Sequence, residues 1–291
     1  MAAEENVITT EEMAKVRQLD WTQSFTEKIE LLMKMLGITR KIPVVAGTAL
    51  EQTIVTGTLE DGDVDEGDII PLSQYEVETK AIGTAALKKF RKATTAEAII
   101  KSGFDVAVND TDSKMIFDIQ KVIKGDFITE LLKGTGTATG TGVQDAFANA
   151  WGQLQVAYED NEVATVFIAN PLDISDYLGK AQITTQTAFG LTYVENFLGL
   201  GTLILTGAIE KGTFVATASQ NLNLLYINVA EANGLGSAFD FTTDETGLIG
   251  IHEDSNYTRM QNETVATFGI YLFPEMPAGV IVGEITSPDT P

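Results

Sequence analysis

The spacing of apolar residues changes several times along the chain, and each change marks an element. Phe25, Ile29, Leu32 and Leu36 recur at helical spacing behind Ser24-x-x-Glu27, a capping box, and Gly37 stands where a helix closes. The predicted helix is too short to bury its face alone, so it must pack on the rest of the chain or on another chain. Residues 1–23 ahead of it are polar and acidic and read as a mobile arm. From Ile42 to Leu59 β-branched and small residues take over. An acidic run, DGDVDEGD, fills 61–68, and Gln74-Tyr-Glu-Val-Glu-Thr-Lys80 then alternates towards Lys88. Two extended arms around a polar tip predict a long hairpin. Neither arm carries a strongly apolar face, so the hairpin does not belong to a compact core.

Residues 95–102 read as a short helix. Asn109-Asp-Thr-Asp-Ser113 then offers several N-caps for a longer one with the stripe Met115, Ile116, Ile119, Ile123, Phe127 and Leu131, and Gly134 stands at its expected C′ position. That helix should span about 21–24 residues, roughly 30–35 Å. A further amphipathic helix is predicted over 143–160, with Val143, Phe147, Ala150, Trp151, Leu154 and Tyr158 on one side. Strands are predicted at 163–169, 202–206, 213–218, 224–229, 264–273 and 279–285, with a short helix at 174–180. Helices and strands mix without strict βαβ alternation or internal repeat, which gives an α+β fold class.

Charge narrows the function classes. Forty-one acidic residues against 19 basic ones leave a net charge of −22 over 291 residues. Such a surface repels nucleic acid and anionic membrane rather than gripping them. Cysteine is absent, which removes disulfides, thiolate metal sites and cysteine nucleophiles together. No signal peptide and no run near the roughly 18 apolar residues of a membrane span is present. The expectation is a soluble chain made in the cytosol, on which the sequons at Asn256 and Asn262 are chance matches.

Lys133-Gly-Thr-Gly-Thr-Ala-Thr-Gly-Thr-Gly142 is the stretch most like a nucleotide loop. It fails as a P-loop because Val143 and Gln144 follow the last glycine where lysine and a hydroxyl are needed. It fails as a dinucleotide fingerprint because it follows a helix. Its strict period of two puts threonines on one side and Gly or Ala on the other, the mark of a strand with a bare face for close packing. The acidic run places Asp61, Asp63 and Asp65 at calcium-loop positions, but Glu66 replaces the turn glycine and Leu72 the bidentate glutamate. It reads as a solvated hairpin tip, as an adventitious cation site, or as a tip that docks on a basic patch of another chain. Lys88-Lys-Phe-Arg-Lys92 is the one dense basic run, and it suits an acidic partner such as the 61–68 tip of a neighbour. His252, the sole histidine, has no GxSxG serine to serve and reads as an exposed structural residue. No catalytic constellation, metal set or cofactor motif emerges.

The order of segments, together with KKFRKATTAEAIIKSGFDVAVNDTDSKMIFDIQKVIKGDFITELL at 88–132, ASQNLNLLYINVAEANGLGSAFDFTTDETGLIGIHED at 218–254 and ETVATFGIYLFPE at 263–275, is similar to the major capsid protein of tailed bacteriophages. The resemblance is to the HK97-like fold of phages with long non-contractile tails, and it covers nearly the whole chain. It implies an N-terminal arm at 1–45, an extended loop at 46–93, a peripheral domain with a spine helix at 94–133 and 238–291, and an axial domain at 134–237. It also implies a structural, non-enzymatic protein without cofactor or metal. Hexamers and pentamers would self-assemble in the host bacterial cytoplasm into the icosahedral shell of a virion around double-stranded DNA. Scaffolding, portal and decoration proteins would be its partners, with no membrane and no sequence-specific DNA contact. Candidate inter-subunit contacts are Asp61, Asp63, Asp65, Glu66 and Asp68 at the tip and Lys88, Lys89, Arg91 and Lys92 in the basic run. The alternatives are an encapsulin-like cellular nanocompartment shell and a hydrolase with an acidic site.

Overall fold

A computed structural model of the chain describes residues 10–65, 69–158, 163–180, 185–188, 191–231 and 235–286. Helix α1 runs Thr10–Leu36, so Ser24 lies inside it rather than at its cap, and residues 10–23, expected as part of a mobile arm, are helical. Residues 1–9 lie outside the described residues. The early turns escape the hydrophobic pattern because their inward face is polar. Gln18 and Thr22 are buried; Gln18 Oε1 accepts a 2.6 Å hydrogen bond from Thr242 Oγ1, and Thr22 Oγ1 donates to the Leu19 carbonyl. Gly37, at φ +67°, closes the helix as expected. Its N–H reaches the Lys34 carbonyl and that of Ile38 reaches Met33, the paired bonds of a Schellman motif.

Strands β1 (Arg40–Pro43), β2 (Ala49–Thr58), β3 (Gln74–Thr84) and β4 (Lys88–Thr95) follow. β2 and β3 form the expected hairpin, in register from Ala49↔Thr84 to Thr58↔Gln74 with one irregularity at Leu50/Glu51, and among the described residues no other strand pairs with them. Ile42, expected to start the first arm, belongs instead to β1 in another sheet. Thr95 caps α2 (Ala96–Ser102), and a π-helical turn at Asp105–Asp110 runs without a side-chain cap into α3 (Thr111–Leu131). The predicted stripe of α3 is buried from Ile116 to Leu131. Gly134 is not its C′ residue. The helix ends three residues earlier, and Gly134 lies against Val280, whose carbonyl oxygen would stand 2.4 Å from an added Cβ.

Next come β5 (Gly136–Thr141), α4 (Gly142–Ala157), β6 (Thr165–Ala169), α5 (Pro171–Lys180), β7 (Gln186–Ala188), β8 (Leu191–Phe197), β9 (Gly201–Leu205), β10 (Thr213–Ala218) and β11 (Leu222–Tyr226). The short helix α6 (Leu235–Ala238) and strands β12 (Ile249–Asn256), β13 (Gln261–Phe268), β14 (Ile270–Pro274) and β15 (Val280–Thr286) complete the chain. β7, β8 and β12 escape the sequence pattern, and β13 and β14 were expected as one strand. Gly269 divides these two where the Ile227 side chain approaches so closely that an added Cβ would meet it at 2.6 Å.

The main sheet has the order β5-β15-β10-β6-β9-β8-β7. Strict alternation along its central strands separates two cores. Val166, Ile168, Ile204 and Val215 face the core shared with α1 and α3; Phe167, Ala169, Leu203, Leu205, Phe214 and Ala216 face the core shared with α4 and α5. Phe147 of α4 centres the second core, its ring 4.7 Å from Phe167 and 4.8 Å from Phe214, while Trp151, expected on that face, sits at its exposed rim. Two three-stranded sheets, β1-β11-β14 and β12-β13-β4, wall the first core. β15, within the expected 238–291 segment, lies between β5 and β10 of the main sheet, so the sheets do not divide at residue 237.

Candidate subunit interface

The hairpin leaves the body of the chain as a ribbon with two bare faces. Every described side chain of β2 and β3 is exposed, Val55, Tyr75 and Val77 among them. Its base is fastened. Ala85 is buried, its N–H donates to the Thr48 carbonyl at 2.9 Å, and its carbonyl accepts from Gly47, which turns there at φ +88°. Beside it the Tyr271 hydroxyl accepts from the Ala86 N–H at 2.7 Å and donates to the Ala86 carbonyl. A single phenol of β14 thus clamps the root of the ribbon on both backbone groups of one residue.

At the far end Asp61 Oδ1 accepts from the Asp63 N–H at 3.0 Å, and the Glu60 N–H donates to Ser73 Oγ at 3.1 Å across the tip. Asp61, Asp63 and Asp65 are exposed; Glu66 and Asp68 lie outside the described residues. Ile69 is 92% and Leu72 93% exposed, so exposed aliphatic residues follow the acidic ones along the chain. Only the acidic half is legible as a sequence motif; the aliphatic half is signalled by Ile-Ile-Pro-Leu at 69–72, which lies outside both arms of the hairpin.

Three of the four cations of the basic run make ion pairs within their own chain. Lys88 pairs with Asp126 of α3, Arg91 meets Glu263 of β13 through two hydrogen bonds of 2.6 and 3.0 Å, and Lys92 reaches Asp112 of α3 at 2.6 Å. The physical reason is register: β4 lies beside β13 and α3, and its alternate side chains reach carboxylates on both. Lys89 and Arg91 are both exposed, and Lys89 makes no ion pair among the described residues.

Lys92 is the centre of a buried polar joint. It also donates to the Val108 carbonyl at 3.0 Å and Thr111 Oγ1 at 2.7 Å, which fastens β4 to the π turn. Asp112 has no exposed side-chain surface, and burial raises its pKa above the ordinary carboxylate value. Lys92 and Thr264 pull the other way, and Glu253 nearby adds to the rise. Glu263, on the open side, is held below its ordinary value by Arg91 and Asn256. Arg17 of α1 pairs with the buried Glu253, its guanidinium 5.4 Å from the Trp21 ring and 5.3 Å from that of Phe104. α1, β4, the π turn and the β12–β13 sheet therefore meet in one charged cluster that no linear motif announces.

The Gly/Thr stretch behaves as its period predicts. Thr137, Thr139 and Thr141 are exposed while Ala138 and Gly140 face inward, where an added Cβ on Gly140 would come within 2.2 Å of the Ala146 nitrogen in α4. α4 also covers the open edge of β5: Asn149 Nδ2 donates to the Thr139 carbonyl at 2.9 Å, and Asp145 Oδ2 accepts from the Thr141 N–H at 2.8 Å. His252 is half-buried rather than fully exposed, its Nδ1 2.9 Å from the Asp240 carbonyl oxygen. Both sequon asparagines hold local structure, Asn256 organising the β12–β13 turn and Asn262 donating to Glu253. Among the described residues no three His, Asp or Glu side chains converge as a metal ion would require, and no helix is long and apolar enough to cross a membrane.

No family model matches the chain, and no curated protein matches its sequence. Solved structures do match it. A virus-like particle from Pyrococcus furiosus aligns at a TM-score of 0.51 and 14% identity over 92% of this chain and 98% of that one. The capsid of cyanophage P-SCSP1u aligns at 0.55 and 8% identity over 85% and 86%. The capsid of an empty GTA particle aligns at 0.54 and 10% identity over 99% and 95%. The chain has the fold of these shell subunits, the HK97-like capsid fold, from arm helix to final strand.

Proposed function

We propose that this chain is the major capsid protein of a tailed bacteriophage, a structural subunit that self-assembles into an icosahedral shell around double-stranded DNA. The observation that carries the reading is a hairpin exposed at every described side chain, on a chain whose whole length follows the fold of shell subunits. Such a ribbon gains order only from neighbours, and closed symmetry supplies the same neighbour to every copy. On this reading residues 1–45 form the arm and 46–93 the extended loop. The peripheral domain holds 94–133 with the strands after 238, and the axial domain holds 134–237 and takes back β15. The tip at Asp61, Asp63 and Asp65 contacts another copy together with Ile69 and Leu72. Since Lys88, Arg91 and Lys92 are engaged at home, Lys89 is the cation of that run left to receive it.

Hexamers and pentamers assemble in the host cytoplasm with scaffolding and portal proteins, and decoration proteins bind outside. The excess of carboxylates suits an inner wall along which packaged DNA slides rather than sticks. The test is light scattering and negative-stain microscopy of the purified chain. Closed particles on the order of tens of nanometres are expected; a compact 31.3 kDa monomer that never assembles would overturn the reading. Particles from infected cells that hold a protein cargo and no DNA would move it to a cellular nanocompartment.

A further inference from the structure

A cleft of about 580 Å³ separates the middle of α3 from the loops at one end of the main sheet. Lys121 and Lys124 line it from the helix, three residues apart and therefore on one face. Opposite them stand Thr192 in β8 and Thr206 and Gly207 just beyond β9, and the buried Leu191 and Leu205 add an apolar wall. For a chain with 41 acidic and 19 basic residues this lining is unusual: none of the described residues that form it is acidic. Lys121 makes no ion pair among the described residues. Burial, and then the charge of Lys121, hold the Lys124 ammonium below its ordinary pKa. The fold thus brings two like charges together beside apolar surface, where they repel more strongly than in water, and places no negative group in the lining to offset them.

Gly125 is an independent sign. It lies in the interior of α3, where glycine costs helix stability relative to alanine, yet apart from the helix's own backbone no atom stands within 4 Å of where its Cβ would be. Packing inside the chain does not require it. It lines the cleft, where a missing side chain leaves the helix open to close approach by a ligand. Gly207 on the opposite wall is exposed and has equally empty surroundings. Thr206 Oγ1 accepts from the Ala208 N–H at 3.2 Å, which leaves its own proton to be donated elsewhere. Two lysines acting as point charges, with hydroxyls and open backbone across from them, suit a phosphate. A carboxylate brings one charge to two lysines, whereas a phosphate monoester brings nearly two and a nucleic-acid backbone brings successive phosphates. We propose that this cleft is a phosphate-binding site, with Lys121 and Lys124 as its charges, Thr192 and Thr206 as hydroxyl donors and Gly125 as the residue that keeps it open. Its phosphate comes from a nucleic-acid backbone or from free phosphate compounds. The first source rests on the shell reading and makes the cleft a point of grip on a chain whose net charge otherwise repels DNA.

The test titrates inorganic tripolyphosphate into the intact chain at low salt and follows binding by calorimetry, with circular dichroism as the check on folding. The parent should bind. Lys121→Gln and Lys124→Gln should each weaken binding about tenfold. Lys101→Gln, an equal loss of charge on an exposed residue outside the cleft, should leave it unchanged. Gly125→Leu, which fills the cleft without removing a charge, should abolish binding. Gly125→Ala should raise Tm and still weaken binding, a combination that a merely structural glycine does not give. Should Lys124→Gln fail to fold, Lys121→Gln and Gly125→Leu decide. No binding by the parent, or equal binding by Lys101→Gln and Lys121→Gln, would overturn the proposal. A short DNA duplex that binds the unassembled chain, with a salt slope lowered by about one for each lysine removed, assigns the site to nucleic-acid phosphate. Tripolyphosphate binding without duplex binding assigns it to free phosphate. A parent that never forms particles would overturn the shell reading and leave the phosphate site to stand or fall by the tripolyphosphate titration.

Discussion

β6 and the hairpin are both β-structure rich in threonine and valine, and both are paired along their length, yet they live in opposite surroundings. All five residues of β6 are buried, and its two faces feed two separate cores. All described side chains of β2 and β3 are exposed, and the ribbon meets the body only at its root. Backbone pairing contributes little net stability in water, so a two-stranded ribbon is marginal alone, while burial at about 25 cal/mol per Å² holds the main sheet. Stability within one chain thus resides in the sheets and α1, α3 and α4. The hairpin contributes surface that its own chain leaves unburied.

The contrast should break first at Phe147, which stacks between two strands of the main sheet. Phe147→Ala should lose about 3–5 kcal/mol of unfolding free energy in urea titration. Lys92→Met removes the counter-charge of a fully buried Asp112 and should lose about 3 kcal/mol. Adding Asp112→Leu should recover most of that in the same titration, as expected for a buried pair rather than for two separate contacts.

The same joint sets a pH dependence of known sign. Because Asp112 sits above its ordinary value when folded, its contribution worsens as pH rises through the window between the two values and improves on acidification. Glu263, held low, works oppositely: its contribution stands above the ordinary value and is lost as pH falls through the depressed one. Asp112→Asn should therefore compare best with the parent near neutrality and lose ground towards about pH 4, as read from Tm across the range. A constant Tm difference would show that burial of that carboxylate does not govern the joint.

Smaller effects sharpen the other side of the contrast. Tyr271→Phe removes both hydrogen bonds at the hairpin root and should lose about 1 kcal/mol or less, with amide exchange accelerated at residues 85–86. Val55→Ala with Val77→Ala should change unfolding of the isolated chain by less than about 0.5 kcal/mol while lowering particle yield. A loss of about 2 kcal/mol in the unassembled chain would show that the ribbon is packed within its own subunit after all.

Much of this was legible from residues alone wherever pattern and burial coincide. The α3 stripe, the two arms of the hairpin without a core face, and the bare face of the Gly/Thr strand all follow from periods of 3.6 or 2. Reading failed where the buried face is polar. The first half of α1 is inward on Gln18 and Thr22, and half of β12 is Glu, Asp, Ser and Asn, so hydrophobic spacing had nothing to report. Gly134 and Gly269 were misjudged for a related reason. A glycine needed for close approach looks the same in sequence as one that ends a helix or sits within a strand.

By itself the sequence determined that this chain is α+β, strongly acidic, and equipped with a long ribbon that it cannot bury. These are properties of composition and period, which local chemistry fixes. Only the tertiary structure decided the partners of the basic run, the union of β15 with the main sheet and the clamp of Tyr271 on Ala86. Each of these joins residues far apart in the chain, and their meeting is set by how sheets and helices pack, which no local window contains.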